Sequence, residues 1–204
     1  MNIFNKFPTS ILIDGSEYEI DTDFRPAILT LMAFEDEYVD KATQVLILLA
    51  NLYKGVELVF ENEVHEEAVK LALDFLNCDY PSNNFGTKDT QKSSGRTFSF
   101  AKDGQRIYAA FRSSYGINLN ETEHLHWYDF YLMLSELDEN TQHMKIVSLR
   151  HKKNEGKLTK EEAEVWNKLS DVLEFEPPRK EKELEERALK GLGKFKGTIN
   201  GIQQ

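Results

Sequence analysis

Apolar and polar residues alternate in a short segment near the N-terminus, on both sides of the pair Asp14-Gly15. The apolar run 11–13 leads into this pair, and Tyr18 and Ile20 alternate with glutamates after it. A tight turn between two strands needs residues that tolerate a positive φ, and an Asp-Gly pair supplies them. The pattern therefore predicts a β-hairpin, which is the only good strand signal in the chain.

From Asp23 onward, the apolar residues recur at the spacing of a helix. Phe24, Ile28 and Leu31 mark one face of a first helix. Asp23 is suited to cap this helix, which we expect to end near residue 34 or 35. The same spacing predicts further helices over about 36–53, 64–76, 103–115, 120–137, 139–152 and 159–172. The sequence thus predicts an α+β fold, predominantly α-helical, with a short N-terminal β-hairpin followed by about six or seven helices.

Two of these helices begin with the pattern of a capping box. Asn120 is followed three residues later by Glu123, and Thr159 by Glu162. In such a box, the first side chain accepts a hydrogen bond from the backbone of the fourth residue, whose side chain reaches back. We therefore expect helices to open at both positions, and Gly116 to stop the helix before the first box.

Two segments lack the apolar pattern of a core. The segment near 79–95 is rich in Ser, Asn, Thr, Lys and Gly, which predicts a mobile loop. After Pro177-Pro178 comes a highly charged segment over 180–189, and then a tail that contains glycine and lysine. A short isolated helix is marginal in water, so the tail is expected to order against a partner. We predict a helical domain over 1–178 and a charged helix with a flexible tail over 179–204.

The charge balance and the single cysteine exclude several classes of function. The chain has 25 basic and 35 acidic side chains, a formal charge of −10. A polyanion is repelled by such a surface, so no nucleic-acid partner is expected. Cys78 alone can form no intramolecular disulfide, which fits a reducing compartment. No apolar run approaches the ~20 residues that span a bilayer, so we expect no membrane partner.

Histidines and carboxylates give no pattern of a metal or catalytic site. His124 and His126 lie two apart, and on a helix their side chains would point away from each other. The sequence His65-Glu66-Glu67 resembles part of a zinc-protease helix, but Val69 stands where the second histidine is required. No serine lies in a strand–turn–helix elbow. We therefore predict no enzyme, no catalytic residue, no metal and no cofactor.

Apolar side chains cover more than one face of two predicted helices. In the first of them, residues 45–50 are apolar nearly all round. In the second, seven large apolar groups lie close together: Leu125, Trp127, Tyr128, Phe130, Tyr131, Leu132 and Leu134. Either these helices are buried in the centre of the fold, or part of their surface docks another subunit. Burial is the interpretation that we favour for the second helix.

Four segments of the chain together resemble one family, the gene-product-fifteen family of phage tail proteins. These segments are ILIDGSEYEIDTDFR at 11–25, RIYAAFRSSYGINL at 106–119, LHWYDF at 125–130 and IVSLR at 146–150. The resemblance covers most of the chain. It implies structural or interaction roles for Asp23, Phe24, Arg25, Tyr108, Phe111, Tyr115, His126, Trp127, Phe130 and Arg150.

The resemblance also implies a function. Proteins of this family are regarded as tail assembly proteins, so we expect a chaperone that binds the tape-measure protein of a siphovirus in the host cell cytoplasm. A second tail assembly chaperone and further copies of the chain are possible partners. The main alternative is a structural component retained in the virion, at the head–tail joint or the tail tip. A remote alternative is a small metallo-hydrolase built around His65, His124, His126 and His143.

Overall fold

The computed structural model describes residues 6–61, 65–79 and 95–175 of the chain. In chain order, the elements are β1 (Ser10–Ile13), β2 (Ser16–Glu19), α1 (Phe24–Glu35), α2 (Lys41–Leu52), α3 (Glu57–Glu61), α4 (His65–Leu76), α5 (Phe100–Tyr115), α6 (Trp127–Ser135), α7 (Gln142–Asn154), α8 (Lys160–Lys168) and α9 (Ser170–Leu173). The predicted fold class, α+β and mostly helical with an N-terminal hairpin, is confirmed.

The hairpin forms around the predicted turn. Strands β1 and β2 are antiparallel, and Ile13 pairs with Ser16 across a two-residue connection. Asp14 and Gly15 have φ of 48° and 78°, so the turn uses the positive φ that the sequence predicts. Ile11 and Ile13 are buried, which places the hairpin's inner side in the core.

Helix α1 begins and ends where the sequence predicts, but α2 begins five residues later. The Asp23 side chain caps α1 by accepting from the backbone N–H of Arg25. Before α2, the Asp36 side chain accepts from the backbone of Tyr38 and holds a turn. Asp40 then caps α2 by accepting from the backbone of Thr43. The prediction of a helix from residue 36 is wrong because these short acidic side chains bind the backbone outside the helix.

The predicted capping box at Asn120 and Glu123 is wrong. The side chain of Asn118 accepts from the backbone N–H of Asn120, and its carbonyl accepts from the backbone of Glu121. These bonds hold a turn, so the helix begins only at Trp127, with His126 as its N-cap. Two asparagines, Asn118 and Asn120, could each hold this segment through hydrogen bonds to the following backbone. In the structure, Asn118 makes these bonds.

The other helix ends agree more closely with the sequence. Helix α5 begins at Phe100, three residues before the predicted start, and ends at Tyr115, followed by Gly116 as its C-cap in the left-handed region, with φ of 71°. The capping box of Thr159 and Glu162 is formed as predicted. Helix α8 ends at Lys168, and the short α9 follows as a separate element, so the predicted single helix over 159–172 is interrupted.

One hydrophobic core joins the hairpin to α1, α2, α4, α5 and α6. Helix α1 packs against α2, α5 and α6, whereas α7 packs against α5. Helix α6 is largely buried, as the sequence favours, since Trp127, Tyr128 and Phe130 have at most 1% of their surface exposed, although Tyr131 is 40% exposed. Helix α2 is buried on one side only: Leu48 and Leu49 are inside, while Leu46 is 54% exposed.

The chain divides into a unit of Met1–Leu173 and a second unit, Glu174–Gln204. Only Glu174 and Phe175 of the second unit are described. Most of the predicted loop near 79–95 and the whole predicted helix over 180–189 lie outside the described residues. The division at 178/179 therefore stays a prediction.

Candidate interaction site

The chain segments that lead into α1 and α6 run antiparallel and are joined by hydrogen bonds. Asp23 and His126 form an isolated β-bridge. The backbone N–H of Phe24 donates to the carbonyl of Leu125 at 3.0 Å, and that of Trp127 donates to the carbonyl of Thr22 at 2.7 Å. The two helix starts are thereby fixed against each other.

Arg25 ties a third segment to this junction. Its Nη1 lies 3.0 Å from both carboxylate oxygens of Asp23. Its Nη2 donates to the carbonyl oxygens of Leu119 and Thr122, which belong to the turn before α6. Arg25 therefore holds the turn through a planar guanidinium that makes several bonds at once.

His126 is held between α6 and the N-terminal segment. Its Nδ1 accepts from the backbone N–H of Tyr128, and its Nε2 lies 3.0 Å from the carbonyl oxygen of Pro8. Since Nδ1 accepts, Nε2 carries the proton and donates to that carbonyl. Burial lowers the pKa of His126 from its ordinary value of 6.5, against the opposing effect of the bond to Pro8. The neutral ring is therefore the form that this junction holds.

Aromatic rings around Phe130 fill the centre of the core. Its ring is stacked on Phe24 and Phe111, with ring centroids 4.9 Å and 4.8 Å away, and lies 5.7 Å from the centroid of Trp127. The indole Nε1 of Trp127 donates to the carbonyl of Leu76 at 3.0 Å, which connects α6 to the end of α4. Packing of this kind contributes beyond the area that it buries.

Two tyrosines of the RIYAAFRSSYGINL segment hold the neighbouring elements. The Tyr108 hydroxyl donates to the side-chain oxygen of Asn118, the residue that organises the following turn. The Tyr115 hydroxyl donates to the carbonyl of Met133 on α6 at 2.8 Å. Burial raises the pKa of Tyr115, so the hydroxyl keeps its proton and acts as a donor.

Arg150 forms a second, separate centre between α5, α7 and α9. It has 1% of its surface exposed, and its Nη1 lies 2.5 Å from an oxygen of the fully buried Asp103. Its remaining donors bind three backbone carbonyl oxygens, those of Thr97, Val172 and Leu173. A buried charge is tolerated only when it is paired and hydrogen-bonded, and both conditions hold for this arginine.

All ten motif positions therefore make contacts inside the fold. Five are buried, namely Phe24, Phe111, Trp127, Phe130 and Arg150, and the others are partly buried: Asp23, Arg25, Tyr108, Tyr115 and His126. The structure brings nine of them together around α1, α5 and α6, and places Arg150 at the α5–α7–α9 centre. These contacts give the motif a structural role. A role in partner binding stays a prediction.

An uncharged surface on α1 and α2 is a better candidate for binding. Leu29 on α1 is 57% exposed and Leu46 on α2 is 54% exposed. Ala42 and Ala50 are also exposed and lie one turn on either side of Leu46, on the same face of α2. The charged residues of the two helices all lie at helix ends: Arg25, Glu35 and Lys41. Leu29, Ala42, Leu46 and Ala50 are the exposed apolar residues of these two packed helices, and we call them together the α1–α2 surface.

The sequence leaves this surface as one of two alternatives. Its apolar run 45–50 indicates a helix that is either buried or covered by another subunit, and the structure exposes Leu46 in the middle of that run. The available signal is the lack of charge: no residue between Lys41 and Lys54 is ionisable except Tyr53. A single-sided surface helix of a soluble protein ordinarily carries charges on its outer face.

The histidines of the metallo-hydrolase alternative make different contacts. His65 stacks near Phe60, His124 bonds to the hydroxyl of Thr22, and His143 is buried in α7. Within residues 6–61, 65–79 and 95–175, no group of three or more His, Cys, Asp or Glu side chains could hold a metal ion. His124 and His126 precede or cap α6 instead of lying on it, so the helical argument against shared ligation does not apply.

The burial of His143 predicts that the fold loses stability in mild acid. It is 2% exposed, and its Nδ1 has no hydrogen-bond partner among the described residues. Burial lowers its pKa from 6.5; Arg150 and Arg106 act in the same direction, and Asp103 opposes them. The unfolded chain binds a proton at this residue below pH 6.5 while the folded chain does not, so stability is present above that pH and falls below it.

Denaturant titrations between pH 8 and pH 5 would measure this loss. We expect the wild-type free energy of unfolding to fall towards pH 5, and the fall to be smaller in H143L, which places an apolar side chain beside Phe98. The slope that remains belongs to other groups, including His126, whose pKa is lowered by burial as well. Equal slopes in the two proteins would assign the pH dependence elsewhere.

The structure is that of a mainly helical protein whose motif residues lie inside the fold and whose helices α1 and α2 expose apolar side chains. The chain belongs to the family described as Bacteriophage Gp15 protein, whose family model matches residues 3–175.

The family match confirms the resemblance found in the sequence, and all four quoted segments lie inside it. The chain is therefore a phage protein, and its family is not a known enzyme family. No curated protein and no solved structure gives a significant match. In the described part of the chain, no helix has the length and apolar character needed to cross a membrane.

Proposed function

We propose that the protein is a tail assembly chaperone that binds the tape-measure protein during construction of the phage tail. The family makes it a phage protein. The observation that supports a binding role is the α1–α2 surface, where large apolar side chains are exposed on helices that carry no charge away from their ends. Exposed apolar surface of this kind is typical of interaction sites.

A tape-measure protein is a long helical chain with apolar stripes that must stay soluble until tail-tube subunits surround it. An apolar stripe on one helix can be covered by the exposed face of another, with Leu29 and Leu46 as anchors. Many copies on one tape measure would bind through linked weak contacts, which raise the effective concentration of each. Weak individual contacts also suit a chaperone that must leave as the tube forms.

The proposal places the protein in the host cell cytoplasm, with the tape measure as its main partner. A second tail assembly chaperone and further copies of this chain are additional candidate partners. The competing proposal is a structural component that remains in the virion, at the head–tail joint or tail tip. An apolar helix surface would serve permanent contact there equally well, so the two proposals are separated by experiment.

Co-expression with the tape-measure protein of the same phage tests the binding. We expect the wild-type chain to keep the tape measure soluble and to co-elute with it in several copies. The variant L29E/L46E should reduce the co-eluting chain by about tenfold or more, because glutamates in an apolar contact must be desolvated. The measurement is size-exclusion chromatography with light scattering.

The matched control is L12E, which changes a leucine of similar exposure on strand β1. It should co-elute as the wild type does, and thermal melts should show all variants folded. An insoluble tape measure, with the wild-type chain eluting alone, would contradict the proposal. Proteomics of purified particles gives the second test: a chaperone is absent or nearly so, whereas stoichiometric presence would favour the virion component.

A further inference from the structure

His126 joins two parts of the fold through the two nitrogens of its ring. Nδ1 accepts from the backbone N–H of Tyr128 and thereby caps α6, and Nε2 lies 3.0 Å from the carbonyl oxygen of Pro8. The ring of Phe7 packs on this junction, with its centroid 5.0 Å from that of His126 and 5.4 Å from that of Tyr128. Residues 6–9, the N-terminal segment, are therefore attached to α6 through the histidine.

Only one protonation state of this ring can make both bonds. The neutral ring with its proton on Nε2 has an acceptor for Tyr128 and a donor for Pro8. Protonation puts a second N–H on Nδ1, which then faces the N–H of Tyr128 and can accept nothing. The residues preferred as N-caps, Ser, Thr, Asp and Asn, remain acceptors in mild acid. A histidine in this position makes the cap of α6 depend on pH.

The aromatic surroundings of His126 disfavour a charged ring. The rings of Phe7, Phe75 and Tyr128 lie within 6.1 Å of it, centroid to centroid, and such surfaces solvate a charge poorly. Burial is the main cause that lowers the pKa of His126 from 6.5, so the cap is complete above that pH and is lost as the pH falls below it. Since the residue is only partly buried, the charged ring reaches water by turning outward, away from Pro8.

The segments that meet at this ring carry the following charged or titratable residues: Lys6, Asp21, Asp23, Arg25, His124 and Asp129. Asp23 is already bound by Arg25 and by the backbone N–H of Leu125. Asp129, in the first turn of α6, favours the charged ring, whereas His124 disfavours it. From α4, the contact with His126 is the apolar ring of Phe75.

We propose that His126 is a proton-sensitive latch, which holds the N-terminal segment on the start of α6 when it is neutral and releases the segment when it is protonated. At neutral pH the latch is closed, and Phe7 packs on Tyr128. Helix α6 itself stays in place in mild acid, because the backbone bonds of Phe24 and Trp127 do not involve the histidine ring. The latch is independent of the α1–α2 surface and of tape-measure binding there.

Nuclear magnetic resonance of the full chain between pH 8 and pH 5 tests the latch. Ring-nitrogen shifts give the protonation state of His126, and backbone order parameters give the mobility of Phe7 and Thr9. In the wild type, these order parameters should fall from about 0.85 to below about 0.6, with the same midpoint as the ring titration. A ring that stays neutral down to pH 5, or a charged ring beside an ordered segment, would overturn the proposal. So would an equal loss of order in α8, which would report unfolding of the whole chain.

Two variants test which histidine is responsible. H126N keeps an acceptor at the N-cap but does not titrate, so the order of Phe7 and Thr9 should no longer depend on pH. H124N is the matched control, because it removes the neighbouring exposed histidine and should keep the wild-type response. Thermal melts confirm that each variant is folded. A pH response that survives in H126N would assign the change to another group and overturn the proposal.

The variant F7A tests the same coupling without altering the histidine. If protonation releases the N-terminal segment, then loosening the segment must favour protonation, because linkage is reciprocal. F7A should therefore raise the pH at which the ring of His126 titrates. The control L12A truncates an exposed leucine on β1 and should leave that titration unchanged. An unchanged titration in F7A would show that the segment and the histidine are not coupled, which would overturn the proposal even if H126N failed to fold.

Discussion

Replacing Arg150 with methionine should lower the free energy of unfolding by about 3–5 kcal/mol, because the substitution breaks a buried ion pair by removing one partner. The variant leaves the carboxylate of Asp103 fully buried without its close cation and leaves three backbone carbonyls without their donor. Arg106, 3.6 Å from Asp103, is then the remaining cation within contact distance. Urea unfolding should show the loss, with a melting temperature lowered by roughly 6–20 °C.

Two further variants separate the charge from the hydrogen bonds. R150K keeps a cation but has three donors on one nitrogen, so it should lose less stability than R150M and more than a surface change. D103L/R150M removes both charges and should be more stable than R150M alone, because the buried carboxylate is gone. A loss below about 1 kcal/mol in R150M would mean that the buried pair contributes little to the fold.

Replacing Phe130 with alanine should cost about 3–5 kcal/mol. Its ring is fully buried and contacts Phe24, Phe111 and Trp127, which belong to three different helices. The alanine leaves a cavity that the surrounding rings fill only in part, and the stacking contribution is lost as well. Guanidinium or urea unfolding gives the magnitude, and near-ultraviolet circular dichroism reports the loosened aromatic packing.

F130L is the graded control, since it keeps an apolar side chain and should lose clearly less stability than F130A. L29A is the surface control: Leu29 is 57% exposed, and its truncation should change stability by no more than about 0.5 kcal/mol. If F130A and L29A gave similar losses, the aromatic cluster would not be the centre of the core.

Features encoded by neighbouring residues could be predicted from the sequence. The turn at Asp14-Gly15, the Asp23 cap and the capping box of Thr159 and Glu162 all depend on residues within four positions of each other, and all are present. The start of the helix at Trp127 could not be predicted in this way. Asn118 and Asn120 could each form the preceding turn by binding the backbone. The geometry of that turn also depends on a hydrogen bond from Arg25, which is far away in the chain.

The buried pair of Asp103 and Arg150 shows why the role of a motif residue could not be predicted from the sequence. Asp103 lies in the first turn of α5, where an acid is stabilised by the helix dipole with no partner at all. Its partner Arg150 is 47 residues away, and only the fold brings them together. The family resemblance identifies the positions, whereas the contacts that explain them come from tertiary structure.

The exposure of the α1–α2 surface could not be predicted from the sequence either. Periodicity identifies which residues of α2 are apolar, but an uninterrupted apolar run does not say which of its members faces solvent. The packing of α1 and α4 on α2 decides this, and it leaves Leu46 outside. Exposed apolar residues therefore had to be found in the structure.

The pairing of Asp23 with His126 also constrains the order of events during synthesis. The bonds that fix the start of α1 come from residues about a hundred positions later, for example between the backbone of Leu125 and the Asp23 carboxylate. Contacts so distant in sequence slow folding, because a long loop must close before they form. On the ribosome, α1 and α2 therefore emerge well before α6 can lock them. A newly made chain reaches its native core only after more than half of it has been translated.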